Sequence, residues 1–373
     1  MLPNYIKKNL LKDDKKFSEL KKTSFKIPKY DPKHYYKDLT KSNYFYALTI
    51  LRHYLKFTTD YYFGIEQEAK NIDLFMLTSS ISSPAGLGSD SKPIAMKFGE
   101  LEIFLTDSSQ FGFEPLLLNN LNKVYCYLPS MRGENLDLRH LNQFFHCEFE
   151  MIGNLEKLLP IAEGYVKNLC NTILLMDNII NKISDTPNIT KKVLSNIIKL
   201  KKFPETTFDQ AVDVLIKNKK ERYINFTKQE SNVCAKGEIE LMKILNIKTP
   251  LWIKYFDRDR TPFYQKPNPN NKNKTINADL LFPPLTKKSF GGEIIGSGQR
   301  QDNPKEIYDS LKRQGNISSK PYEWYIDLRK LPNYRTTSGF GLGIERFIAW
   351  ALAKVNIRDV ILYPRLKNIK TYP

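Results

Sequence analysis

The chain has 373 residues, 41% of them hydrophobic and 26% charged, which is the composition of a globular protein with one large domain or two ordinary ones. Its 58 lysines and arginines outnumber its 40 acidic residues, so the formal net charge is +18. No apolar run reaches the roughly 18–20 residues of a membrane span, the N-terminus lacks a signal-peptide pattern, and the four cysteines show no CxxC spacing. We therefore predict a cytoplasmic protein without a membrane partner, a disulfide framework or a zinc ribbon.

The basic charge has two interpretations. Lysine and arginine displace counterions from phosphates, so the excess suits a nucleic acid or another phosphate-bearing partner. Because lysine dominates the excess, a solvated lysine-rich surface accounts for it equally well. The charge alone does not decide between them.

The first forty residues are lysine-rich and polar, with Pro3, Pro28 and Pro32 as helix breakers. We expect an arm or a poorly packed extension here. The next segment, 43–56, has the apolar spacing of an amphipathic helix, and a Ser/Gly-rich loop follows at 79–92.

The rest of the chain predicts strands, then helices, then strands. Period-two alternation and aromatic content predict strands at 93–98, 101–106, 123–128 and 144–152. Helical patterns fill 154–220, with breaks at Thr186-Pro187 and Phe203-Pro204. Strands at 277–282 and 291–298, a helix from about Gly343 and a final strand at 359–364 follow. This order predicts an α+β fold with an antiparallel sheet.

Common nucleotide and metal motifs are absent from the sequence. It has no GxxxxGK[ST] loop, no HExxH pair and no nucleophile elbow, and its four histidines are scattered. The glycines of 338–343 have the spacing GxGxG rather than GxGxxG and follow no βαβ unit, which argues against a dinucleotide site.

Three charged clusters lie far apart in the sequence. The first spans 131–150, the second is GGEIIGSGQR at 291–300, and the third is GFGLGIER at 339–346 with RDVILYPR at 358–365. On a strand, Glu148 and Glu150 share one face, and a charged face in an apolar sheet needs partners or a ligand. Surface ion pairs account poorly for arginines that lie close to glycines in the sequence. Glycine has no side chain, so the backbone can lie close beside a planar guanidinium.

These clusters resemble the second and third signature motifs of class II aminoacyl-tRNA synthetases, in the asparaginyl branch. The resemblance runs from about Asn43 to the end and includes the stretches 105–114, 203–215 and 261–269. It implies a class II synthetase-like antiparallel sheet flanked by helices. It also implies a basic extension at 1–42 and a catalytic domain at 43–373, with a helical insertion at 154–250. A homodimer is implied as well, although the first-motif proline expected near Ser79-Ser80 is missing.

The resemblance implies ATP and Mg²⁺ as cofactors. Forming an aminoacyl-adenylate needs no general base, because the amino-acid carboxylate attacks the α-phosphorus, so the site must supply fixed arginines and Mg²⁺. By resemblance, Arg132 contacts the α-phosphate and Arg346 lies near the γ-phosphate and over the adenine; both are the implied catalytic residues. The other implied ATP-binding residues are Glu134, Arg139, His140, Phe144 and Glu293. The implied Mg²⁺ ligands are Glu293 and Asp279.

The implied amino-acid pocket consists of Ser108, Gln110, Glu148 and Arg300. Relatives that bind aspartate have a lysine three residues after the strand glutamine, whereas here Phe113 follows Gln110 at that distance. An asparagine side chain fits, with its carbonyl facing Arg300 and its NH₂ donating to Glu148. An aspartate carboxylate would be repelled by Glu148. We therefore predict asparagine as the substrate.

The resemblance leaves the acyl acceptor open. Asparaginyl-tRNA synthetases begin with an anticodon-binding OB-fold of about 100 residues, whereas about 40 residues precede the core here. We therefore expect transfer of asparagine to a small molecule, a peptide or an unusual RNA, with tRNA still possible. The alternatives are an ammonia-dependent asparagine synthetase acting on aspartate, a tRNA-charging paralogue, and a non-catalytic RNA-binding module. Retention of Arg132, Glu293 and Arg346 argues against the last.

Overall fold

A computed structural model of the protein describes residues 2–82, 92–226 and 231–372. Most of the predicted Ser/Gly loop at 79–92 therefore lies outside the described residues.

The described residues form the following helices: α1 (Asn4–Ser18), α2 (Tyr35–Lys41), α3 (Asn43–Tyr61), α4 (Phe113–Leu117), α5 (Leu155–Leu174), α6 (Asp177–Ile183), α7 (Pro187–Lys199), α8 (Phe208–Lys217), α9 (Ala235–Ile244), α10 (Pro304–Arg313), α11 (Glu323–Asp327) and α12 (Ile344–Ala351). The strands are β1 (Lys70–Asn71), β2 (Leu77–Thr78), β3 (Ala95–Phe98), β4 (Leu101–Leu105), β5 (Lys123–Met131), β6 (Gln143–Ile152), β7 (Glu205–Thr207), β8 (Ile224–Phe226), β9 (Ser231–Val233), β10 (Leu251–Lys254), β11 (Pro267–Asn268), β12 (Asn271–Thr275), β13 (Asn277–Phe282), β14 (Gly292–Gln299) and β15 (Thr337–Gly343).

The main sheet has eight strands in the order β1-β5-β6-β15-β14-β13-β10-β7. The six inner strands are antiparallel to one another, and only the edge strands β1 and β7 pair in parallel, with β5 and β10 respectively. The predicted α+β class with an antiparallel sheet flanked by helices is therefore confirmed.

Alternation along β6 separates the core from the opposite face of the sheet. Its odd-numbered residues Cys147, Phe149 and Met151 are buried in the main hydrophobic cluster, which also contains residues of α3, α5 and α12. The ring of Phe149 lies 5.1 Å from that of Phe63, just beyond α3. Since successive side chains point to opposite faces, the even-numbered residues from Phe144 to Glu150 all face the other side. Helices on one face thus leave the other available for a site.

The N-terminal segment is packed, and the expectation of a poorly packed arm is wrong. Helix α1 buries Leu10 and Phe17 completely, and the Phe17 ring lies 5.0 Å from that of Tyr46 on α3. Asp14 accepts hydrogen bonds from the backbone N–H groups of Asn178 and Ile179, at 3.1 and 2.9 Å, and so caps the start of α6. The many lysines of this segment mask the helical spacing of its few apolar residues.

The predicted final strand at 359–364 is also wrong. Residues Ile357–Val360 form a 3-10 turn, whose first turn is capped by the side chain of Asn356. The backbone carbonyls of Asp359 and Val360 accept hydrogen bonds from the Tyr44 hydroxyl and the Arg52 guanidinium, both at 2.9 Å. Side chains of α3 therefore take the place of a neighbouring strand. Among the described residues, no helix is both long and apolar enough to cross a membrane.

Candidate active site

Glycines form the floor of the site. Gly296 and Gly298 of β14 lie beside Gly341 and Gly339 of β15, and Gly343 continues the same face of β15. Because none of these residues has a side chain, other groups can lie close above the centre of the sheet, as Gln265 does over Gly298 and the Glu150–Arg300 pair does over Gly339. The glycines of the GxGxG stretch thus belong to strand β15 and do not form a dinucleotide-binding loop.

Strand register sets polar residues at both ends of this floor. One row across the sheet runs from Glu148 through Gly341 and Gly296 to Asp279. The next row runs from Glu150 through Gly339 and Gly298 to Asn277. Successive rows on one face are about 6.5–7 Å apart, since two strand residues separate them.

Arg132 and Phe144 lie together at the end of β5 and β6. The guanidinium carbon of Arg132 lies 5.4 Å from the centre of the Phe144 ring, a cation–π distance. The Nε atom of Arg132 is buried and has no hydrogen-bond partner among the described residues. A buried guanidinium nitrogen without a partner is unfavourable, and a phosphate or carboxylate oxygen would supply one.

Arg346 stands in the first turn of α12 and reaches β14. Its Nη1 lies 3.3 Å from Oε2 of Glu293 and donates to the Glu293 carbonyl at 3.2 Å. Its side chain remains 23% exposed, so part of it is accessible to a ligand. The structure thus brings together the two charged residues that the sequence places fifty residues apart.

Arg139 lies beside this pair, over the ring of Phe290 at 4.6 Å, and donates to the Gly291 carbonyl. Burial and the neighbouring charge of Arg346 lower the pKa of Arg139. His140 contacts a residue of its own loop, with its Nδ1 2.9 Å from the Asp137 carboxylate. Glu134 follows Arg132 in a loop that Asn142 fixes by donating to the Glu134 carbonyl at 3.0 Å.

Three carboxylates meet near Arg139 and Arg346. Asp279 and Glu293 both flank the open space above Gly296, and Glu238 of α9 accepts a hydrogen bond from the Glu293 N–H at 3.1 Å. Burial and the charges of Glu293 and Glu238 raise the pKa of Asp279 well above its usual value. Burial and Glu293 raise the pKa of Glu238 to about 7. A divalent cation would relieve this repulsion, so the donor chemistry fits Mg²⁺.

The described side chains do not by themselves form a group of three or more ligands close enough to hold a metal ion. Asp279 and Glu293 therefore suit a cation that is shared with phosphate oxygens better than one enclosed by protein. Glu238 was not predicted from the sequence, because it belongs to an ordinary amphipathic helix without a motif.

Glu148 is fixed by two donors from the loop after β4. The Ser108 hydroxyl donates to its Oε1, and the Ser109 N–H donates to Oε2 at 2.7 Å. Burial raises the pKa of Glu148, although these two hydrogen bonds oppose the shift. Gln110 extends its amide toward the same row, above Gly341. Ser108, Gln110 and Glu148 thus lie together as the sequence predicts, but Ser108 contacts Glu148 directly.

Arg300 forms a buried ion pair with Glu150. Its Nε and Nη2 donate to the two oxygens of Glu150 at 2.8 and 2.6 Å, and both side chains are at most 2% exposed. Although burial opposes it, the Glu150 carboxylate raises the pKa of Arg300 further, so the guanidinium is charged. A methyl group at Gly339 would overlap this pair. The sequence assigns Arg300 to the substrate and misses Glu150 as its partner.

His146 lies on β6 between Phe144 and Glu148. Its Nδ1 is 2.9 Å from the Ser130 hydroxyl and 3.8 Å from Glu148, and its ring meets the Phe144 ring edge-on at 4.7 Å. Burial, with the charges of Arg132 and Arg346, lowers the pKa of His146 well below its usual value. The sequence does not indicate that His146 belongs to the site, because a lone histidine on a strand matches no motif.

Comparison with known proteins identifies this architecture. The family model of class II tRNA synthetases (D, K and N) matches residues 77–367, so the chain belongs to this family. Within it, the chain is 34% identical over 282 residues to the asparagine–tRNA ligase of Buchnera aphidicola subsp. Schizaphis graminum, covering 73% of the chain. It is 29% identical over 280 residues to that of Thermococcus gammatolerans, covering 74% of the chain. It spans 56% and 60% of these two curated relatives.

A solved structure leads to the same branch of the family. Asparaginyl-tRNA synthetase from Pyrococcus horikoshii, complexed with asparaginyl-adenylate, aligns with a TM-score of 0.79 at 25% identity. The alignment covers 94% of this chain and 76% of the other. The resemblance stated from the three sequence clusters is thereby confirmed.

Proposed function

We propose that the protein activates asparagine with ATP to form asparaginyl-adenylate and pyrophosphate. One observation carries this proposal: a glycine floor with the arginines Arg132 and Arg346 at one end and the Glu148 and Glu150 rows at the other. Such a floor lets a nucleotide and a small amino acid lie end to end. The asparagine–tRNA ligase relatives support the same activity.

In the proposed reaction, the asparagine carboxylate attacks the α-phosphorus and pyrophosphate leaves. Arg132 would hold the attacking carboxylate and the α-phosphate, which supplies the partner that its Nε lacks. Phe144 would stack on the adenine, while Arg346 and Arg139 would neutralise the outer phosphates. Glu134 and His140 would complete the ATP-binding loop. Asp279 and Glu293 would hold Mg²⁺, which neutralises phosphate charge when bound.

We propose asparagine rather than aspartate because the pocket already contains two carboxylates. Glu148 and Glu150 lie in adjacent rows, and Arg300 is already paired with Glu150. A third carboxylate would therefore meet like charge that Arg300, already paired, does not balance. The same argument disfavours an asparagine synthetase that binds aspartate.

The test is amino-acid-dependent ATP–pyrophosphate exchange, measured with each of the twenty amino acids and Mg²⁺. The proposal predicts exchange with asparagine far above that with aspartate. Exchange with a different amino acid only, or none at all, would refute it.

The acceptor of the activated asparagine is a separate proposal. The names of the curated relatives favour tRNA, and a small molecule, a peptide or an unusual RNA is the alternative. Charging of unfractionated tRNA at physiological salt decides between them. Assembly as a homodimer also remains a proposal, to be tested by mass in solution.

A further inference from the structure

The side chain of Gln265 lies on the glycine floor, in the row farthest from the ATP-binding residues. Its carboxamide covers Gly298, so closely that a methyl group on Gly298 would overlap it. Gly298 pairs with Gly339, over which the Glu150–Arg300 pair lies. Gln265 also forms a backbone bridge with Arg300. It therefore belongs to the same row as this ion pair, although no sequence motif marks it.

The oxygen of this carboxamide lacks a hydrogen-bond donor among the described residues. Gln265 is only 7% exposed, and its Oε1 is buried without a hydrogen bond to any residue that the structure describes. Leaving a buried amide oxygen unpaired costs about 1–3 kcal/mol, so such atoms are rare unless a ligand or a water supplies the donor. Gln314, by contrast, is a buried glutamine whose Nε2 donates to the carbonyls of Arg258 and Thr261.

The register indicates which part of a bound asparagine would reach Gln265. Phe144 and Arg132 mark the ATP-binding end, and Glu148 and Glu150 lie two and three rows away along β6. An amino acid whose carboxylate meets the phosphate near Arg132 extends its side chain along this direction. Its terminal group then points past Glu148 toward the row of Glu150 and Gln265.

We propose that Gln265 is a specificity-determining residue that reads the side-chain carboxamide of the bound amino acid, beside Arg300. Two carboxamides complement each other, since each has one acceptor oxygen and an NH₂ donor. The terminal torsion of glutamine is two-fold, so either end of the Gln265 amide can face the ligand. This inference rests on the proposed activation of asparagine and assigns a further group to that site.

The decisive variant is Gln265→Met, which keeps the length of the side chain and removes its amide. We expect the KM for asparagine in the exchange assay to rise about tenfold or more, as when a site loses a hydrogen bond to its substrate. The KM for ATP should stay within about two-fold, because the amide lies away from the nucleotide. The Tm of the free protein should stay equal or rise, since an unpaired buried polar group is removed.

Gln314→Met is the matched control. It should lower the Tm, because its hydrogen bonds are lost, and leave the KM for asparagine unchanged. Gly298→Ala is a second route, since its methyl group displaces the Gln265 amide and should also raise the KM for asparagine. An unchanged KM for asparagine in Gln265→Met, or an equal rise in both KM values, would overturn the inference.

Calorimetric titration with asparagine separates this inference from the proposed function. Asparagine binding that weakens in Gln265→Met supports the inference even if the wild-type protein shows no exchange, which would overturn only the proposed function. Exchange with asparagine that is insensitive to Gln265→Met overturns only the inference. Absence of both binding and exchange overturns both.

Discussion

The guanidinium of Arg132 lies 5.4 Å from the centre of the Phe144 ring, while its Nε has no hydrogen-bond partner in the described part of the protein. The ring holds the side chain in place, and the unpaired nitrogen is left for an anion. Arg132 is thus positioned before any ligand arrives, which is the arrangement that electrostatic catalysis requires.

Removing either arginine from the phosphate region should abolish most activity. We expect Arg132→Ala and Arg346→Ala each to slow asparagine-dependent exchange by about 10²–10³-fold, because each removes a fixed positive charge. Arg222→Ala is the control, because Arg222 is exposed and donates to the neighbouring Tyr223 hydroxyl. Exchange that survives in either site variant at the wild-type rate contradicts the mechanism.

The pocket should prefer asparagine to aspartate by at least about 10²-fold in kcat/KM for activation. Glu148→Gln should reduce this preference, since it removes one of the carboxylates that repel aspartate. The two amino acids should be compared side by side in the exchange assay. Equal or faster activation of aspartate by the wild-type protein would show that the pocket is misassigned.

Breaking the Glu150–Arg300 ion pair should destabilise the protein. Glu150→Gln leaves a fully buried guanidinium without its counter-charge, which typically costs about 3–5 kcal/mol. The free energy of unfolding is measured by urea denaturation. Asp327→Asn removes the partner of Lys330 in an ion pair whose side chains are 62% and 58% exposed, and should cost less than about 1 kcal/mol. Equal effects of the two changes would contradict the burial argument.

Acid should destabilise the protein partly through His146. The pKa of His146 in the folded protein lies well below its usual 6.5, so on acidification the unfolded chain takes up this proton first. The contribution to stability is therefore complete above pH 6.5 and declines as the pH falls below it. His146→Gln should show a weaker loss of Tm between pH 7 and pH 5 than the wild-type protein. Parallel Tm curves for the two proteins would contradict this assignment.

Helix α1 should be part of the folding unit. Leu10→Ala removes a completely buried side chain and should cost about 2–5 kcal/mol. Leu11→Ala is the control, because the neighbouring Leu11 is 45% exposed. If deletion of residues 1–40 left the Tm unchanged, the packing of this helix would be irrelevant to stability.

The fold was largely predictable because its strands alternate. The predicted strand 277–282 matches β13, and the helix predicted from about Gly343 begins at Ile344. Strand β15 was missed because its glycines hide the alternation, and the strand predicted at 359–364 failed because α3 side chains bind its carbonyls. Such long-range contacts leave no local trace in the sequence.

The charged residues of the site were predictable from their motifs, but their partners were not. The sequence marks Arg300 as important, yet only register across β6, β15 and β14 reveals that Glu150 neutralises it. Glu238 reaches Glu293 from a helix without a motif. The sequence does not indicate Gln265 either, since the argument for it rests on an unpaired atom rather than on a residue pattern.

The glycine floor also limits how the substrate range can be engineered. Larger substrates are usually admitted by trimming a bulky pocket residue, but Gly296, Gly298, Gly339 and Gly341 have nothing left to remove. Room for a longer amino acid must therefore come from the side chains that lie over or beside these glycines, such as Gln265 and Gln110. Any residue larger than glycine would overlap the Gln265 amide at position 298, or the Glu150–Arg300 pair at position 339. Because the glycines cannot be trimmed further, the side chains over and around them determine both the size and the chemistry of the substrate that the proposed pocket accepts.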